Sequence, residues 1–368
     1  MQVLICAGGT GGGVYPALAV HNALKAARPD VEILWVGGEG GMEARLVQRA
    51  GIPFKTIPAA GIHGVDLRQL PENLYTLARG TKIAANILNE FKPDVLFFTG
   101  GYIATPMAIA GRKIPALLYV PDVEPGLALK TLAYFAKCIT VTAEESKQYF
   151  SQQANIIVTG YPVRAELSAW DKASAREHFG IKGELPVVLV YGGSKGARSI
   201  NTALLAHLAK LLTHVEVIHI SGELDWPEID KKRTALTKDQ AEHYHAFPYL
   251  HEDMGAAIAV ADLAVSRAGA SILGEFPQFG TPAILVPYPH AWRYQKINAD
   301  TLTKRGAALM IEDSRLISGL YMTIEMLLET PEKLDNMRKA MLTLRSPNAA
   351  IDIAAQLFKL AGDKNDQS

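Results

Sequence analysis

Short runs of β-branched and aromatic residues alternate along the chain with stretches whose apolar positions recur at helical spacing. That alternation predicts a parallel sheet flanked by helices. In the first half the runs predict strands at about 2–7, 32–36, 54–57, 95–99, 116–120, 138–141 and 156–158. The second half repeats the scheme at 186–191, 215–220, 245–247, 263–265, 283–286 and 308–311. Between the halves, Gly160-Tyr161-Pro162-Val163-Arg164 and the polar stretch after it read as a linker. The expected fold class is therefore α/β, with two doubly wound Rossmann-like domains facing across a cleft. The expected divisions are 1–160, 161–345, and a C-terminal helix with a polar tail over 346–368, the tail being disordered after Gly362.

Composition narrows the classes. A chain of 368 residues is too long for one ordinary core. Apolar residues make up 49% and charged residues 20%, a normal globular balance. Lys plus Arg and Asp plus Glu are 37 each, so wholesale nucleic-acid binding is not expected. Cys6 and Cys138 both fall in predicted strands and read as small buried hydrophobes suited to a reducing compartment. There is no secretory signal pattern and no apolar stretch long enough to span a bilayer, so a cytoplasmic location is expected.

Two glycine-rich turns carry the first chemical signal. Ala7-Gly8-Gly9-Thr10-Gly11-Gly12-Gly13 follows the run 3–6, and Gly192-Gly193-Ser194-Lys195-Gly196-Ala197-Arg198 follows 187–190. Such a turn at a helix start lets backbone N–H groups approach an anion closely, and the helix dipole favours negative charge there. Pro16 stands where the dinucleotide fingerprint needs glycine or alanine, and Lys195 precedes Gly196 where a P-loop needs the reverse order. Both hydride transfer and ATP hydrolysis lose support on that count.

A third constellation, Ser266-Arg267-Ala268-Gly269-Ala270-Ser271 with Glu275, follows another predicted strand. Glu275 lies one turn beyond Ser271, placed either to accept from a ribose diol or as a solvated residue after a cap. Gln295 and Asn298, at i, i+3 spacing, suit sugar hydroxyls or an ordinary helix surface. The pattern offers no Asp-x-Asp and no i, i+4 histidine pair with a glutamate between, and the alternating His243 and His245 read as structural. Without a metal, a leaving diphosphate is neutralised by N–H groups, helix ends and cations. Ser194, Lys195, Arg164 and Arg267 are the available groups.

Taken in order along nearly the whole chain, these segments resemble the MurG family of UDP-N-acetylglucosamine:N-acetylmuramyl-(pentapeptide) pyrophosphoryl-undecaprenol N-acetylglucosamine transferases. Thr99-Gly100-Gly101-Tyr102, Pro125-Gly126-Leu127, Pro162-Val163-Arg164 and Val286-Pro287-Tyr288-Pro289-His290 complete the match. The resemblance implies a GT-B glycosyltransferase that uses UDP-GlcNAc as donor substrate and needs no cofactor. It places Arg164 and Ser194 on the diphosphate and Glu275 on the ribose, with Lys195, Gly196, Arg267, Ala270 and Ser271 also in the substrate site. Leu250 would lie at the uracil pocket, with Gln295 and Asn298 near the sugar. Thr10, Gly11, Gly12, Gly13 and Tyr102 would receive a polyprenyl-diphosphate-linked muramyl-peptide acceptor at the inner face of the cell membrane.

The chain departs from the family on the acceptor side. Gly13 stands where the family has histidine, and Tyr119-Val120-Pro121-Asp122 replaces a His-Glu-Gln-Asn stretch. Inverting transfer needs a general base for the acceptor hydroxyl. Asp122 is the first candidate, followed by Glu124 and His63, while each also fits an ordinary turn. The helical stretch 67–92 sets Leu70, Leu74, Leu77 and Ile83 among Arg68, Arg79, Lys82 and Lys92, either as a membrane-lying face or, preferably, as core packing. Three alternatives stay open: a transferase with another acceptor, a sugar-nucleotide epimerase, and a UDP-sugar-binding homologue without turnover.

Overall fold

The computed structural model describes residues 1–362 except 10, 42, 61–67, 194, 195 and 251, and of 291 and 292 the backbone alone. The strands are β1 (Gln2–Cys6), β2 (Glu32–Gly38), β3 (Phe54–Ile57), β4 (Val95–Phe98), β5 (Ala116–Val120), β6 (Cys138–Val141) and β7 (Ile156–Val158). The second set is β8 (Val187–Tyr191), β9 (Glu216–Ile220), β10 (Tyr244–Phe247), β11 (Leu263–Ser266), β12 (Ala283–Leu285) and β13 (Ala308–Met310). Every predicted strand is found, with ends shifted by a residue or two.

All pairings are parallel, in the orders β3-β2-β1-β4-β5-β6-β7 and β10-β9-β8-β11-β12-β13. Parallel strands need crossover helices, which cover both faces, and so the central strands are apolar from end to end. Val3, Leu4, Ile5, Phe97 and Phe98 have no exposed surface, and neither do Val187 to Val190. Trp35 fills the space beside β1 and satisfies its indole N–H on the Ala7 carbonyl at 2.9 Å.

The chain forms two compact units, 1–164 with 346–368, and 165–345. The C-terminal helix Ala349–Leu360 thus belongs with the first unit, where the sequence pattern had left it as a separate appendage. Ile353, Leu357 and Phe358 are buried there, and the Arg28 guanidinium lies 5.7 Å from the Phe358 ring centre. In the helix Leu70–Phe91 the apolar stripe divides. Gly80, Ala84, Ile87 and Leu88 are buried, while Leu74 and Tyr75 near its start are exposed. Among the described residues, no helix is long and apolar enough to cross a membrane.

Candidate active site

Each sheet reverses its winding between two neighbours, β1 and β4 in the first and β8 and β11 in the second. Ligands of open α/β sheets bind outside the carboxyl ends of the strands at that reversal. The first glycine turn leaves β1, and the Thr99–Tyr102 turn leaves the adjacent β4. The second glycine turn leaves β8, and the small-residue turn 267–271 leaves the adjacent β11. Each unit therefore presents two small-residue turns side by side, a juxtaposition that sequence spacing did not reveal.

In the first unit the two turns are tied together. Thr99 Oγ1 donates to the Gly13 carbonyl at 2.7 Å, and a Cβ at Gly101 would stand 3.0 Å from the Gly8 carbonyl oxygen. Gly100 and Gly101 have φ of 124° and 80°, a region that favours glycine. Gly13 is buried, and a Cβ there would press on the Thr99 carbonyl at 3.3 Å. Tyr102 stands exposed beside them.

Beneath this turn lies a residue that sequence reasoning missed. Glu43 is wholly buried; it accepts from Gly38 N–H at 2.8 Å through Oε1 and from Gly9 N–H at 3.3 Å through Oε2. Any Cβ at Gly8, Gly37 or Gly41 would collide with its carboxylate. Those three glycines make room for a side chain of the protein itself. The Gly9 N–H is already engaged by this carboxylate, and the helix Gly11–Ala27 starts just beyond it. A glutamate 34 residues from Gly9 has no local signature that would have disclosed this.

Asp122 and Glu124 both lie in the loop between β5 and the helix Leu127–Ala133. Asp122 is half-buried, and its charge, after burial, helps raise the Tyr119 phenol well above its ordinary range. Glu124 is only 2% exposed and lies 3.6 Å from Lys130 Nζ. Arg164 sits 4.4 Å over the Tyr15 ring in the first unit. Thr10, His63, Ser194 and Lys195 fall outside the described residues.

In the second unit, Gly193 and Gly196 take φ of 85° and 75°, and Gly196 N–H closes the turn on the Gly193 carbonyl at 3.0 Å. Leu250 is buried in the segment following β10, at the same end of the sheet. Ala270 is buried and Ser271 half-buried; the Ser271 carbonyl accepts from Glu275 N–H at 2.9 Å. Glu275 is 9% exposed and adds to the burial that holds the Tyr191 phenol protonated.

Three of the expected ligand contacts also have protein partners. Arg267, read as a cation for the diphosphate, is ion-paired with Asp313 and donates to Ser199 Oγ at 2.8 Å and to the Val286 carbonyl at 3.3 Å. Asn298 is wholly buried and donates to the Ala268 carbonyl at 3.1 Å. Gln295 Oε1 accepts from Tyr288 N–H at 2.8 Å and from Ala268 N–H at 3.3 Å. These side chains shape the 267–271 turn, because a buried amide must satisfy its own donors and acceptors. The half-buried Gln295 retains a side-chain NH2 edge for a ligand.

This architecture sets paired small-residue turns at both switch points, the place where open α/β sheets bind ligands. Residues 3–141 match the model of the glycosyltransferase family 28 N-terminal domain, and 187–356 match that of the family 28 C-terminal domain. A transferase from Roseiflexus sp. (strain RS-1), named UDP-N-acetylglucosamine--N-acetylmuramyl-(pentapeptide) pyrophosphoryl-undecaprenol N-acetylglucosamine transferase, is 38% identical over 98% of this chain and 95% of its own length. The protein of that name from Desulfitobacterium hafniense (strain Y51) is 40% identical over 95% of this chain and 96% of its own. The crystal structure of Acinetobacter baumannii MurG superposes with a TM-score of 0.74 at 27% identity, covering 97% of this chain and 99% of that one. A UDP-GlcNAc 2-epimerase from Neisseria meningitidis bound to UDP-GlcNAc shares the fold at 15% identity, with a TM-score of 0.68, 98% of this chain and all of that one being covered. The chain belongs to the MurG family of N-acetylglucosamine transferases.

Proposed function

We propose that this protein transfers N-acetylglucosamine from UDP-GlcNAc to the 4-hydroxyl of the muramyl sugar of lipid I, forming lipid II for peptidoglycan. The observation that carries the reading is full-length similarity to transferases named for this reaction. The paired turns at both switch points agree with it.

The second unit takes the donor, with uracil near Leu250, ribose by Glu275, and diphosphate at the 192–198 turn. The first unit takes the lipid-linked acceptor at Gly11, Gly12 and Gly13, with Tyr102 beside them, at the cytoplasmic face of the membrane. Exposed Leu74 and Tyr75 support contact with lipid on this unit. Transfer is a single inverting displacement without a metal, in which N–H donors and a helix start stabilise the departing UDP. Asp122 removes the acceptor proton. Its half-buried place at the carboxyl end of β5 supports that role better than the deep burial of Glu124.

Radiolabelled UDP-GlcNAc supplied with a lipid I analogue tests the proposal, with free sugar followed in parallel. Label in the lipid product, undiminished by a chelator, is expected. Free N-acetylglucosamine or its epimer, without lipid label, would overturn it in favour of another acceptor or an epimerase. Asp122→Asn should lower turnover at saturating acceptor at least a hundredfold, a typical general-base contribution. Full turnover by that variant removes Asp122 from the mechanism.

A further inference from the structure

The second glycine turn is backed by a polar relay that the assignments above do not use. His219 on β9 is wholly buried, with Nε2 3.0 Å from Asn201 Oδ1 and Nδ1 2.7 Å from Tyr244 Oη. Asn201 Nδ2 already donates to the Ser221 carbonyl and to Asp225 Oδ2, both at 2.9 Å, so its Oδ1 is left as acceptor. His219 must therefore carry its proton on Nε2, and Tyr244 must donate to Nδ1. The ring is neutral, because burial drives its pKa down to about 3. Every hydrogen bond then runs in one direction, from Tyr244 through His219 and Asn201 to Asp225.

Asp225, 9% exposed, ends the relay on Arg198. Its Oδ1 accepts from Nε at 2.8 Å and from Nη2 at 2.7 Å. Arg198 is the last residue of the glycine turn and the first of the helix Arg198–Leu211, and its side chain is 78% exposed. Asp225 grips the Nε–Nη2 edge and leaves the Nη1 side of the guanidinium outward. The same Asn201 that fixes Asp225 also fixes the Ser221 carbonyl, against which Gly196 is packed too closely for any side chain. The turn and the cation beside it thus share one buried support. With Arg267 held by Asp313, Arg198 is an exposed cation at the turn itself.

Resting on the donor-site reading, we propose that Arg198 contacts the diphosphate of the UDP-sugar and that Asp225 is a positioning residue that holds Arg198 for it. A guanidinium preset by a carboxylate loses less freedom on binding, and its contact with phosphate is charge-assisted. Uridine, which has no phosphate, gains nothing from either residue.

Calorimetry on the full chain tests this with UDP and uridine as probes, uridine being read by displacement. Arg198→Met is expected to weaken UDP about tenfold to thirtyfold, the loss of one charge-assisted contact, and to leave uridine within about twofold. Asp225→Asn should weaken UDP severalfold, and the double variant should bind UDP no worse than Arg198→Met alone, since one residue acts through the other. Arg198→Lys should recover only part of the affinity, because a point charge cannot keep the side-on grip of Asp225. Unchanged UDP affinity in Arg198→Met overturns the contact. Tighter UDP binding by Asp225→Asn, or additive losses in the double variant, overturns the positioning role. Absence of UDP binding by the unaltered protein overturns the donor-site reading itself, a result distinct from the other two.

Discussion

Gly193 and Gly196 lie three residues apart in one turn and both have positive φ, yet alanine at each should have unequal cost. At Gly193 a Cβ meets nothing within 4 Å, so only the left-handed backbone is penalised. That penalty is about 1–2 kcal/mol for an L-residue. At Gly196 the same penalty applies, and the added carbon also overlaps the Ser221 carbonyl oxygen and comes within 3.0 Å of Gly222 Cα. The carbonyl cannot retreat freely, because Asn201 Nδ2 binds it at 2.9 Å from beneath. Forcing a methyl into a packed site adds about 1–3 kcal/mol, which makes Gly196→Ala about 2–5 kcal/mol in all. At roughly 2–4 °C per kcal/mol for a unit of this size, the melting point should fall by about 2–8 °C for Gly193→Ala and about 4–20 °C for Gly196→Ala. Differential scanning calorimetry of the full chain reads this as the shift of each variant's melting transition from that of the parent. A Gly196→Ala loss no larger than that of Gly193→Ala would refute the claim that a pinned carbonyl sets the residue type.

Further outcomes follow from the buried groups. His219 has a folded pKa of about 3 against an ordinary 6.5, so between those values the unfolded chain binds the proton more readily. Its share of stability is complete above pH 6.5 and declines as pH falls through that window, at up to about 1.4 kcal/mol per pH unit. Denaturant titrations of His219→Gln should show a shallower pH dependence than the parent, with Tyr244 and Asp225 still in place; an unchanged slope contradicts the neutral ring. Burial pushes the Cys138 thiol up to about 11, and burial followed by the Glu43 charge raises Cys6 beyond its usual range. Neither should react with a thiol reagent at pH 8 until denaturant is added, and rapid native labelling would count against both placements. Glu43→Gln sets an amide NH2 against the Gly9 or Gly38 N–H, an unmet donor worth about 1–3 kcal/mol. Steady-state kinetics should then show a raised KM for the lipid acceptor with that for UDP-GlcNAc unchanged, whereas equal rises would deny Glu43 a role confined to the first turn.

By itself the sequence determined where the strands run, because helix-covered parallel strands are apolar on both faces and stand out as unbroken runs such as 3–6 and 187–190. It also disclosed the two glycine turns, since positive φ at Gly193 and Gly196 leaves a mark on residue type at the position itself. Which turns become neighbours was decided only by strand order, which set β4 beside β1 and β11 beside β8. Tertiary structure alone also brought Thr99 to Gly13, Glu43 to Gly9, and Asp313 to Arg267, and it returned the helix Ala349–Leu360 to the first unit. A polar side chain at a turn can serve either ligand or backbone with the same local spacing. Its partner lies dozens of residues away, so only the fold showed that Asp313 pairs with Arg267 and that the Ala268 carbonyl accepts from Asn298.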